Sequence, residues 1–91
     1  MTPDLSECEG FEWDKGNRGK IEERIGVEVA EAAFLGGPLI GTDQDHSQEE
    51  QRWFLMNQVG QRHVFLIFTL RGKKIRVLSA RFMHTKDVKK Y

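Results

Sequence analysis

The sequence predicts an α+β chain: two N-terminal helices packed on an antiparallel sheet of three to four strands, closed by a short C-terminal helix. Three observations lead there. Residues 13–35 carry apolar side chains at helical spacing, residues 51–83 carry strand-like runs in succession, and residues 84–91 place Asp87 ahead of Lys89 and Lys90 behind a capping Thr85. Helices followed by strands, rather than alternating with them, mark an α+β order. Ninety-one residues with 38% hydrophobic content suit one small core, so residues 1–91 are read as a single domain.

Residues 1–10 are polar and acidic without periodicity and lead into a brief extended piece at Phe11-Glu12-Trp13. Asp14 has the side chain of an N-cap, and Trp13, Asn17, Ile21 and Ile25 recur every fourth residue, the spacing of one helical stripe. Gly16 and Gly19 weaken that helix by roughly 1 kcal/mol each relative to alanine. Gly26 sits where a left-handed residue would end it. A second helix follows from Val27 to Leu35, with Val29, Ala32 and Ala33 on its apolar face, and Gly36-Gly37-Pro38 ends it. Leu39-Ile40 begins a strand, residues 41–50 form an acidic loop, and Gln51 to Asn57 returns to strand composition before a turn at Asn57-Gln58-Val59-Gly60-Gln61.

The segment from Arg62 to Met83 holds the densest apolar run beside the densest basic run. Val64-Phe65-Leu66-Ile67-Phe68 suits a central strand buried on both faces and is far too short to cross a membrane. Arg71-Gly72-Lys73 supplies a tight reversal, because glycine takes the positive φ that a short hairpin loop demands. Strict alternation beyond it would place Ile75, Val77 and Ser79 on one face with Arg81, and Lys74, Arg76, Leu78 and Ala80 on the other. His63 is expected on the packed face.

Formal net charge is zero, yet residues 1–50 hold 4 basic against 13 acidic side chains while residues 51–91 hold 10 basic against Asp87 alone. That asymmetry points to a basic surface for a polyanion. The lone Cys8 cannot form an intrachain disulfide, and the first residues lack a basic segment followed by an apolar one, so a reducing cytoplasm is expected.

Phe11-Glu12-Trp13-Asp14, Gly26-Val27, Gly37-Pro38-Leu39, the Asp-rich loop ending His46-Ser47, Phe68-Thr69-Leu70-Arg71-Gly72, and Ile75-Arg76-Val77-Leu78-Ser79-Ala80-Arg81 followed by Tyr91 stand in an order and spacing that resemble the BrnT toxins from about Phe11 to the last residue. The resemblance implies a RelE-like fold and an endoribonuclease held inactive by a BrnA-like ribbon-helix-helix antitoxin in a bacterial type II system. It implies a hetero-oligomer with that antitoxin, operator DNA met only through it, and an RNA substrate. The first helix departs from the family pattern, having Asn17, Ile21 and Ile25 where lysine, asparagine and histidine are usual. The turn at Asn57-Gln58 is about one residue shorter than the family's and lacks its usual basic residue.

Arg76 and Arg81 are the leading candidates for phosphate contacts and, as catalytic residues, for stabilising the added charge of the phosphorane-like transition state, because a guanidinium offers planar bidentate donors and keeps its charge when partly buried. The competing reading is an ion pair with Glu12 or Glu31. Arg62, Arg71 and Lys74 are candidates for holding the RNA backbone, and Tyr91 stands in a basic tail that flanks the cleavage groove in RelE-like toxins. His84 or Lys86 would move the proton when a 2′-hydroxyl attacks the adjacent phosphate. Asp43, Asp45 and His46 lack the ligand spacing of a recognised metal site, so no metal and no cofactor is expected. Trp53, Phe54, Phe65, Phe68 and Phe82 could stack on bases, although alternating strand aromatics more often fill a core. The expectation is a metal-independent endoribonuclease toxin; the alternative is a non-catalytic RNA- or protein-binding module on the same scaffold.

Overall fold

Strands dominate the chain. The computed structural model describes residues 5–43 and 50–83. A 3-10 turn at Leu5–Glu7 precedes strand β1 (Gly10–Phe11), helices α1 (Arg18–Arg24) and α2 (Val27–Ala32), and strands β2 (Leu39–Thr42), β3 (Arg52–Val59), β4 (Arg62–Arg71) and β5 (Lys74–Phe82). The strands form one sheet in the order β1-β5-β4-β3-β2.

This corrects the expected architecture of two helices on a three- to four-stranded antiparallel sheet. The sheet has five strands and is mixed, because β1 runs parallel to β5 while β2 through β5 pair antiparallel. The parallel edge is held by the Glu9 N–H donating to the Lys73 carbonyl at 2.6 Å and the Glu12 N–H donating to the Ile75 carbonyl at 2.8 Å. A two-residue strand shows no alternation, so only its long-range partner reveals it. The C-terminal helix expected over residues 84–91 lies outside the described residues.

Both helices are shorter than their apolar periodicity suggests. Asp14 is not the cap of α1, which is Asn17; its carbonyl accepts the N–H groups of Asn17 and Arg18 at 3.2 and 2.9 Å in a turn that leads into the helix at Arg18. Gly26 has φ +91°, a value that lets the chain leave α1 and enter α2 within two residues, Ile25 and Gly26. The expected turn over residues 57–61 is also tighter: β3 continues through Val59, which pairs with Arg62 across a Gly60-Gln61 loop where Gly60 has φ +61°.

The helices cover one face of the sheet. Ile21, Ala30 and Ala33 bury completely against Leu55, Val64, Leu66, Phe68 and Val77. Aromatic rings connect the layers, with Phe34 edge-on to Phe68 at 5.0 Å and to Phe11 at 5.3 Å, and Trp53 stacked on Phe68 at 5.7 Å. Asn57 faces this side and donates its amide to the carbonyls of Ala33 and Leu35 at 2.9 and 2.6 Å, fastening the end of α2 to the sheet.

A bulge decides which side chains share a face. Phe68 lies opposite Val77 whereas Ile67 lies opposite Ser79, so β5 spends one extra residue, Leu78, on a single step of β4. Strict alternation along β5 therefore fails. Ala80 returns to the helix-covered face with Ile75 and Val77, while Ser79 and Arg81 join Arg76 on the other, hereafter the outer face. Arg81 was expected beside Ile75, and the bulge moves it across.

Candidate functional site

Along β3, β4 and β5, the residues that alternate away from the helices include Phe54, Met56, His63, Phe65, Thr69, Arg71, Arg76 and Arg81. Aspartate and glutamate are absent from the outer-face positions of these three strands. His63, expected on the packed face, instead pairs with Gln58 and shares the alternation of Phe65.

The sequence-predicted arginines divide into three environments. Arg76 is buried at 8% exposure. Its Nη1 donates to Glu12 Oε1 at 2.9 Å and to Asp14 Oδ2 at 2.7 Å, and its Nη2 donates to Asp14 Oδ1 at 3.1 Å. The ion pair that the sequence left open is thus formed, with Asp14 as a further partner. Arg71, expected as an RNA contact, lies 3.6 Å from the same Glu12 oxygen. The Arg76 hydrogen bonds, helped by the Gly16 N–H, hold the Asp14 carboxyl below its ordinary range, and the Asp14 bond in turn raises the Arg76 guanidinium above its own.

Arg62 belongs elsewhere. It lies opposite Val59 on the helix-covered side, with its guanidinium 3.9 Å from the centre of the Phe82 ring. Arg81 is exposed on the outer face, opposite Phe65, with its guanidinium carbon 5.2 Å from that ring's centre. Lys74 is exposed at the β4–β5 turn, opposite Arg71. The predicted basic residues therefore do not converge on one point: Arg81, Lys74 and the acid-paired Arg71 and Arg76 share the outer side, and Arg62 does not.

His84, Lys86 and Tyr91 lie outside the described residues, as do Asp45 and His46 of the acidic loop. Asp43, at the start of that loop, closes β2 by donating its N–H to the Arg52 carbonyl at 2.9 Å. Among the described residues, no three histidine, cysteine, aspartate or glutamate side chains stand together as a metal site would need. No described helix is long and apolar enough to cross a membrane.

A family model described as the ribonuclease toxin BrnT of type II toxin–antitoxin systems matches residues 13–87. The chain belongs to the BrnT family. It is thus the ribonuclease toxin of a type II pair, and such a toxin has an antitoxin partner. No curated protein and no solved structure matches it.

Within this BrnT chain, the departures noted along the first helix have structural roles. Asn17 is 2% exposed and saturated: its amide donates to the carbonyls of Glu12 and Val77 at 3.0 Å each, and its Oδ1 accepts the Asp14 N–H at 2.9 Å. It ties the segment after β1 to β5 and so fixes Glu12 and Asp14 where Arg76 meets them. Ile21 and Ile25 are 0% and 7% exposed in the core. An asparagine or histidine at those positions would require a buried hydrogen-bond partner. Sequence reasoning placed Asn17 on a stripe but missed this network, because its partners lie up to 60 residues away.

The strand aromatics also sort by face. Trp53 and Phe68 fill the core, and Phe82 packs at its margin. Phe54 and Phe65 lie on the outer face with nearly parallel rings, 6.2 Å between centres and 9° between planes. Period-2 alternation beside Trp53 and Leu55 was the signal that could have separated Phe54 from the core set.

Proposed function

We propose that this BrnT toxin is a metal-independent endoribonuclease that contacts RNA on the outer face of its sheet and is neutralised by a BrnA-like ribbon-helix-helix antitoxin. The observation that carries the reading is the position of Arg81: an exposed guanidinium on a rigid strand, on a face whose β3–β5 positions carry no carboxylate. A donor prealigned on a strand costs little reorganisation when charge develops on a phosphate.

In the proposed reaction the 2′-hydroxyl of one nucleotide attacks the adjacent phosphorus and the bond to the 5′-oxygen breaks, leaving a 2′,3′-cyclic phosphate. His84 or Lys86 moves the proton between the attacking and leaving oxygens. Arg81 stabilises the added negative charge of the phosphorane-like transition state. Arg76, its terminal nitrogens engaged by Asp14 and Glu12, takes a positioning part by fixing the edge of this face, whereas Lys74 and Arg71 meet the RNA backbone. Arg62 reaches backbone from the other side of the sheet, and Tyr91 is assigned a further RNA contact. The toxin acts in the cytoplasm, and operator DNA is met only through the antitoxin.

The test is incubation of purified protein with single-stranded RNA in excess chelator. Cleavage that leaves a cyclic phosphate supports the proposal. Cleavage abolished by chelator overturns metal independence, and RNA binding without cleavage supports a non-catalytic module on the same scaffold.

A further inference from the structure

We infer that Phe54 and Phe65 form a stacking platform for unpaired RNA bases, with Arg81 supplying the adjoining phosphate contact; this rests on the outer face being the RNA-binding face. The two side chains come from neighbouring antiparallel strands, Phe65 opposite Met56 and Phe54 opposite Ile67, so they are diagonal neighbours. Their rings are nearly parallel and each is half-buried. A half-buried ring keeps part of its surface toward solvent, and base–aromatic stacking tolerates sequence because every base has a π face.

A second observation shows that the platform is built. Gly41 lies opposite Phe54 in β2, and a Cβ there would collide with carbons of the Phe54 ring. Gly41 has no positive φ, so the requirement at this position is space rather than backbone freedom. The ring lies over the glycine, in an orientation that parallels Phe65. The Arg81 guanidinium carbon stands 5.2 Å from the Phe65 ring centre, which brings a phosphate donor beside the ring at one register position.

Charge selects the occupant. The outer-face positions of β3–β5 carry no carboxylate, Glu12 and Asp14 at the edge are matched by Arg71 and Arg76, and Lys74 and Arg81 are exposed, a balance complementary to a polyanion. Single strands rather than duplexes are the substrate class, since only unpaired bases can present a face to the rings.

The experiment uses the full chain and a 2′-O-methyl oligonucleotide carrying 2-aminopurine, which binds but offers no 2′-hydroxyl for attack. Fluorescence quenching on binding and affinity across a salt series are measured. Phe65→Leu and Phe54→Leu are each expected to bind about tenfold more weakly with an unchanged salt slope. Arg81→Gln should lower the slope by about 0.7, as loss of one phosphate contact on a single strand requires. Phe65→Trp should restore both affinity and quenching, which a packing defect would not. Leucine variants that melt like the parent and bind the probe within about twofold of it overturn the platform. So does a pair of variants that keep probe binding and lose the antitoxin, since that assigns the face to the protein partner. A parent that quenches the probe but cleaves no RNA sinks the nuclease and leaves the platform standing; cleavage with both leucine variants binding normally does the reverse.

Discussion

Arg76 grips Asp14 with both terminal nitrogens, at 2.7 and 3.1 Å, across 62 residues of chain. The fork ties the segment that leads into α1 to the strand beside it, and Glu12 joins from the same segment at 2.9 Å. Removing the guanidinium strands two carboxylates together, whereas removing Asp14 leaves Arg76 its Glu12 bond. Arg76→Ala should therefore lower the melting temperature more than Asp14→Asn does. Arg76→Lys should fall between them, because an ammonium keeps charge without the planar fork. Equal melting points for the parent and Arg76→Ala would remove the structural role.

The same pair sets an acid-side pH dependence. Asp14 has a folded pKa below its unfolded value, so in acid the unfolded chain binds the extra proton. The stabilisation is fully present above the ordinary carboxylate pKa and is lost as pH falls through the depressed folded value. Denaturation of Asp14→Asn between about pH 5 and pH 2 should show a shallower loss of stability than the parent, and parallel profiles would contradict this.

Arg81→Ala separates chemistry from folding. The side chain is exposed, so melting should change little, while cleavage of single-stranded RNA in chelator should slow by roughly 10²-fold. A variant that unfolds would make Arg81 a structural group instead.

Gly72 has φ +61° in the two-residue loop that joins Arg71 to Lys74, and no heavy atom lies within 4 Å of where a Cβ would stand. The cost of a side chain there is conformational only. Gly72→Val should destabilise by about 1 kcal/mol or more, and Gly72→Asn by less, because asparagine tolerates positive φ. Chemical denaturation of both variants measures the difference.

Gly41 poses the opposite problem, with ordinary backbone and no space. Gly41→Ala should cost about 1–3 kcal/mol through displacement of the Phe54 ring. In a double-mutant cycle Phe54→Leu should recover part of that cost, and strict additivity would show that the ring is not what the methyl meets.

Co-expression with the antitoxin should give a stable complex in which RNA binding is suppressed, since an outer face with Lys74 and Arg81 exposed would otherwise bind RNA indiscriminately. A complex that cleaves RNA as well as the free toxin would show that the partner does not cover this surface.

The sequence by itself determined the β4–β5 hairpin, the reversal at Gly72, the break at Gly26 and the basic second half, because each depends on a residue and its near neighbours. The motifs from Phe11 onward also pointed to the BrnT family. Tertiary structure decided which residues face each other. The bulge at Leu78 puts Arg81 on the same face as Arg76, reversing what alternation predicts, since one extra residue flips every side chain beyond it. The parallel pairing of β1 and the capture of Arg76 by Glu12 and Asp14 likewise rest on contacts more than sixty residues apart in the chain. Periodicity is a local property of the backbone, whereas register and charge pairing are fixed only when distant segments compete for the same hydrogen bonds.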